Sequence, residues 1–74
     1  MKVGREIERY RSVDRKHLLR IFRRDSGFYF TEFSEITEGG ETFWTRTGDS
    51  GTYDSLGAAK NEALAAVAWL KDVL

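Results

Sequence analysis

The sequence predicts a single α+β domain: a three- or four-stranded antiparallel β-meander packed on one face by a C-terminal α-helix. Three observations carry this expectation. Two glycine-bearing turns, Asp25-Ser26-Gly27 and Glu38-Gly39-Gly40-Glu41, separate runs rich in aromatic and β-branched residues. The C-terminal stretch is rich in alanine, with apolar positions three and four residues apart. A chain of 74 residues makes one domain, 1–74.

Residues 1–16 fit two elements. Val3, Ile7 and Tyr10 lie on one helical stripe, whereas 6–13 equally reads as a strand followed by a turn at Val13-Asp14-Arg15-Lys16. The strand is favoured, because a helix would carry Gly4 in its interior. The meander covers 17–47. Its first two strands, 17–24 and 28–37, flank Asp25-Ser26-Gly27, read as a three-residue loop with glycine in the left-handed position. The two-glycine turn at 39–40 leads to a third strand at 42–47. A helix over 54–73 follows. Leu56, Ala59, Ala63, Val67 and Leu70 form its apolar face, Asp54 or Ser55 caps it, and its length would be about 28 Å.

These turns set a register, and the register sorts side chains onto two faces. Thr37 is expected opposite Thr42, Ile36 opposite Phe43, Glu35 opposite Trp44 and Phe22 opposite Phe30. One face then carries Leu18, Phe22, Phe28, Phe30, Ile36 and Phe43, and is assigned to the helix. The other carries Leu19, Ile21, Tyr29, Phe33 and Trp44 with His17, Arg23 and Arg46. One helix covers one face, so the second needs the N-terminal segment, a second copy of the chain or a ligand over it. Tyr29, Phe33, Trp44, Arg23, Arg46 and His17 are therefore the candidate binding residues.

Composition narrows the function classes. A chain this short buries only about 60% of the surface its unfolded form exposes. It has no cysteine, so disulfides and thiolate metal sites are excluded, and its single histidine, His17, holds no metal alone. Oligomerisation is the remaining source of extra stability. No apolar run approaches the ~20 residues of a membrane span, and the N-terminus has no signal-peptide core, so the expected location is cytoplasmic.

Twelve basic and twelve acidic residues cancel, but residues 1–24 hold nine Lys/Arg against three Asp/Glu, and 25–74 hold three against nine. The two halves are expected to pair with each other in the fold. There is no nucleophile–base arrangement, no Gly-x-Gly-x-x-Gly fingerprint and no phosphate loop, so neither enzymatic activity nor a cofactor is expected. Glu32, Glu35, Glu38 and Glu41 read as solvated charge along a hairpin.

The run from Ser55 to Val67, Ser-Leu-Gly-Ala-Ala-Lys-Asn-Glu-Ala-Leu-Ala-Ala-Val, resembles the final helix of double-stranded-RNA-binding domains. The likeness covers about ten positions. It implies an α-β-β-β-α order and phosphate contacts from lysines at the helix start. Here those positions are Leu56 and Gly57, leaving Lys60. In architecture the chain is also similar to the sheet-plus-helix modules at the N-termini of phage integrases, which read DNA with the sheet. That likeness implies contacts from Arg20, Arg23 and Arg46.

The leading expectation is a protein–protein or self-association module acting through the aromatic and basic sheet face. The alternative is nucleic-acid binding through Arg9, Arg11, Arg15, Lys16, Arg20, Arg23 and Arg24 together with the same aromatics. A third class, a structural or inhibitory accessory protein of a bacterium or phage, has no diagnostic residue.

Overall fold

The computed structural model describes residues 4–74, so Val3 of the N-terminal stripe lies outside the described residues. Four antiparallel strands lie side by side in chain order: β1 (Arg5–Arg11), β2 (His17–Arg24), β3 (Gly27–Glu38) and β4 (Glu41–Asp49). They are followed by α1 (Leu56–Ala66) and a 3-10 helix (Ala68–Asp72). The ambiguous first segment is thus a strand, and the order is β-β-β-β-α, with a strand where the RNA-binding-domain resemblance implies a helix.

Side-chain chemistry ends β1. Ser12 Oγ donates to Asp14 Oδ1 at 2.6 Å and accepts from the His17 amide at 3.0 Å, while the Lys16 amide donates to Asp14 Oδ1 at 3.0 Å. These bonds close a turn in which Arg15 adopts a left-handed conformation, φ 65°. They also hold the Asp14 carboxyl below its ordinary pKa, the Ser12 hydroxyl contributing most.

The β3–β4 hairpin matches its sequence. Gly39 and Gly40 both have positive φ, 60° and 83°, as a two-residue turn with the twist of the flanking strands requires. Ile36 pairs with Phe43, Glu35 with Trp44, and Thr37 with Thr42, whose hydroxyls lie 3.1 Å apart.

The β2–β3 hairpin departs from expectation. Arg24 pairs with Gly27, so the loop is Asp25-Ser26 alone, and the left-handed residue is Asp25, φ 53°. Aspartate tolerates that region better than most side chains. Gly27 is needed for closeness instead. A Cβ there would come within 2.3 Å of Thr52 Cγ2, because the chain entering α1 folds over this point. Phe28 and Tyr53 exchange backbone hydrogen bonds of 2.7 and 2.8 Å beside it. A loop one residue shorter slides β2 by one position against β3 and exchanges the faces of every β2 side chain.

Ser55 caps α1, its hydroxyl accepting from the Ala58 amide at 3.1 Å. The helix does not continue to residue 73. It stops at Ala66, and Val67 is extended (φ −113°, ψ 100°) before the 3-10 helix begins. β-Branched Val67 is a poorer helix former than the alanines before it, and tertiary contacts gain from the break. Val67 and Leu70 enter the core beside Leu19, Ile21, Phe30 and Ala63. Trp69 reaches across the sheet, its indole Nε1 donating to Glu32 Oε2 at 3.2 Å and its ring stacking on His17 with centroids 6.2 Å apart.

The molecule measures 41 × 32 × 16 Å, and the short dimension is one sheet plus one helical layer. Its radius of gyration is 12.9 Å, against roughly 11 Å for a spherical domain of this length.

Candidate functional site

The exchange of β2 faces changes which residues share the uncovered side of the sheet. Leu19 and Ile21, expected there, are fully buried beneath α1. Leu18 and Phe22, expected under the helix, pair with Phe33 and Tyr29 on the opposite face. Phe28 and Phe30 lie on the helix side as expected, whereas His17 and Arg23, expected on the uncovered face, are on the helix side too and leave the candidate set. His17 Nδ1 is 2.9 Å from Ser34 Oγ, and Arg23 lies over the Phe28 ring at 5.8 Å. Both have structural partners. Ile36 and Phe43 share the helix-side register but sit far along the hairpin, and Phe43 is 43% exposed.

The remaining candidates are brought together. Tyr29, Phe33, Trp44 and Arg46 line one face with Leu18 and Phe22. Among the described residues no element packs over this face, and Trp44 is 38% exposed. Its covering is its own arginines. Arg11 lies over Trp44 at 5.6 Å, Arg20 over Phe22 at 4.9 Å and Phe33 at 5.8 Å, and Arg24 over Tyr29 at 5.6 Å. Phe22 and Tyr29 stack with centroids 5.0 Å apart. Each guanidinium–ring contact at such a surface contributes about 0.5–1 kcal/mol. The rings are partly shielded from water, and each shield is itself a set of hydrogen-bond donors.

A β-bulge in each edge strand builds this face. In β1, Glu6 pairs with Phe22 and Glu8 with Ile21, so Ile7 is the extra residue. Strict alternation would put Glu6 and Glu8 on one face, and the bulge separates them. Glu6 points to the open side, accepting from Arg20 Nε at 2.5 Å and Arg9 Nη2 at 3.1 Å, and Arg20 foremost holds its carboxyl below the ordinary range. Glu8 points to the helix side, where it accepts from the Tyr10 hydroxyl and pairs with Lys60 Nζ at 2.9 Å. That network lowers Glu8, with Tyr10 as the main cause. It raises Lys60 through Glu8, while burial foremost raises Tyr10. In β4, Thr47 is the extra residue between Arg46 and Gly48, so Arg46 and Asp49 share the open face and pair at 3.6 Å.

The ion pairs among the described residues run mostly within each charge half, where the sequence predicts pairing between the halves. Arg9 and Arg20 pair with Glu6 inside the basic third, and Arg46 pairs with Asp49 inside the acidic remainder. Lys60–Glu8 crosses between the halves in the opposite sense, using a carboxylate of the basic third. Of the nucleic-acid candidates, Arg9, Arg11, Arg20 and Arg24 share the open face, Arg23 is on the other, and Arg15 and Lys16 are in the turn before β2.

Two shallow depressions lie on this face, one among Glu6, Arg20, Phe22, Tyr29, Phe33 and Arg46, the other among Arg9, Arg11, Leu18, Arg20, Phe33 and Trp44. Among the described residues no group of three or more His, Cys, Asp or Glu is placed to hold a metal ion, and no helix is long and apolar enough to cross a membrane. Sequence reading missed Leu18, Phe22 and Arg20 as members of this face, and the one signal that placed them was the length of the Asp25-Ser26 loop. Comparison of the chain with protein-family models, with curated proteins and with solved structures finds no match.

Proposed function

We propose that this chain is a non-enzymatic binding module that docks a protein partner through its open sheet face. One observation supports this above the others: the sheet has two apolar faces and its helical layer lies on one of them. The other presents Trp44, Tyr29 and Phe33 under arginines. Trp, Tyr and Arg are the residue types that carry most interface energy when a partner excludes water from them. Charged guanidinium groups over the rings also keep the face soluble while unoccupied.

The test uses Trp69→Phe, which makes Trp44 the reporter tryptophan. On association, acrylamide quenching of Trp44 should fall and its emission should shift to the blue, whereas association that leaves Trp44 equally quenchable would refute the reading. Nucleic-acid binding uses the same arginines and rings, and three carboxylates on the face, Glu6, Glu35 and Asp49, weigh against it. It requires retardation of oligonucleotides that weakens steeply with salt.

A further inference from the structure

The open face is polar from side to side as well as apolar in its middle. On the β1–β2 side lie Arg9, Arg11, Arg20 and Arg24 with one carboxylate, Glu6. On the β3–β4 side lie Glu35 and Asp49 with one cation, Arg46. The ion pairs described on this face stay within their own side, Arg9 and Arg20 with Glu6 and Arg46 with Asp49. Leu18 and Phe33, paired across β2 and β3, occupy the middle.

From this polarity we infer that the occupant is a second copy of the chain, docked face to face about a twofold axis running along the strands. Such an axis reverses left and right, so β1 and β2 of one copy lie over β3 and β4 of the other. Each contact then occurs twice, as a closed dimer requires. Arg9 and Arg20, in the sheet row that ends at Asp49, come to lie across from Asp49 of the second copy. Arg11, in the row of Leu18 and Phe33, comes to lie across from Arg46 of the second copy, a like-charged contact that weakens the dimer. Leu18 and Phe33 meet Phe33 and Leu18 at the axis, and two sheets at the usual spacing of ~10 Å enclose the rings. A polyanion fits less well, because the acidic side of the face would repel it.

The size of the face sets the strength. Four strands ~4.8 Å apart, with about seven paired residues at ~3.3 Å each, present roughly 440 Å² in projection. A stable interface buries ~800 Å² per partner. The dimer is therefore reversible, with dissociation in the micromolar range or weaker, and it loosens as salt screens the crossing charge pairs.

This inference rests on the protein-docking reading, and charge reversal on the full chain tests the two separately. Sedimentation equilibrium over a low-micromolar to millimolar series should show the wild type passing from monomer to dimer. Arg9→Glu with Arg20→Glu makes both sides of the face acidic, and Glu35→Lys with Asp49→Lys makes both basic. Each double variant alone should stay monomeric with far-ultraviolet circular dichroism unchanged, and an equimolar mixture should recover a heterodimer.

A wild type that stays monomeric throughout the series would overturn the second copy as occupant and leave docking of a different protein intact. Loss of dimer in both variants without recovery on mixing would overturn the crossed arrangement while keeping the face. Unaltered dimerisation in both variants would overturn the face as well. A monomer that retards single-stranded oligonucleotides at low salt would replace both proposals. If either variant unfolds, Arg9→Gln and Asp49→Asn in the wild type should each weaken dimerisation by about 3–10-fold, and no change in either would overturn the inference.

Discussion

The two faces of this sheet use similar amounts of apolar side chain and treat it differently. On the helix side, Leu19, Ile21 and Phe30 meet Ala63, Val67 and Leu70 in a close-packed layer with no charged group in it. On the open side, Phe22, Tyr29, Phe33 and Trp44 meet guanidinium groups, with Leu18 buried among them. The first arrangement gains its stability at folding, by removing area from water at about 25 cal/mol per Å². The second leaves part of that gain unrealised until something displaces the remaining water. A face of the second kind is suited to contact, and a face of the first kind to holding the contact surface flat.

The largest test of that contrast is truncation on each side. Ile21→Ala should cost about 2–5 kcal/mol of unfolding free energy, a large fraction of what a domain this small possesses. Trp44→Ala should cost about 1 kcal/mol or less in dilute solution, while abolishing association. Urea denaturation at low protein concentration measures both. Equal costs would mean that the open face is core.

Next in size is the strap between β1 and α1. Glu8 is depressed and Lys60 and Tyr10 are raised, so the two ends of the pH scale act differently. A depressed carboxylate contributes stability above its ordinary pKa of ~4.3 and loses it as pH falls through the lower folded value. A raised lysine or tyrosine contributes below its ordinary pKa of ~10 and loses it as pH rises through the higher folded value. Stability should be level from about pH 5 to 9 and decline outside that window. Lys60→Met should cost about 0.5–1 kcal/mol at neutral pH and reduce the alkaline decline. Glu6, also depressed, lies on the open side, so Glu6→Gln should reduce the acid decline without touching the alkaline one.

Of similar size is the steric contact that fixes the β2–β3 register. Gly27→Ala should cost about 1 kcal/mol, since the new methyl meets Thr52 Cγ2. Thr52→Ser removes that methyl and should restore most of the loss in the double variant. The smallest effect concerns the turn before β2. Arg15→Gly relieves a left-handed arginine and should stabilise by roughly 0.5–1 kcal/mol.

Much of the fold was legible, for identifiable reasons. Gly39-Gly40 admits one tight turn, so the β3–β4 register followed for the pairs next to it, Thr37 with Thr42, Ile36 with Phe43 and Glu35 with Trp44. The apolar stripe Leu56, Ala59, Ala63 named the helix face, and Ser55 its start. What could not be read was a parity. In His17–Arg24 both alternating sets are apolar, Leu18 with Phe22 and Leu19 with Ile21, so pattern alone has no preferred face. The choice then rested on one loop residue, and Gly27 resembles a turn glycine although its role is to clear Thr52. The helix end was hidden similarly, because Val67 and Leu70 keep the helical spacing although the chain breaks between Ala66 and Ala68. The bulges at Ile7 and Thr47 leave no mark in composition, yet they decide where Glu6, Glu8, Arg46 and Asp49 point.

The most direct test of the account is a map of which face responds to concentration. Two-dimensional NMR of the uniformly labelled chain, followed from dilute to concentrated solution, reports each side chain separately. The expected result is progressive shifts of Leu18, Phe22, Tyr29, Phe33 and Trp44, with Leu19, Ile21, Phe30 and Ala63 unmoved. Shifts confined to α1 or to the outer edge of β4, with the open face silent, would contradict it.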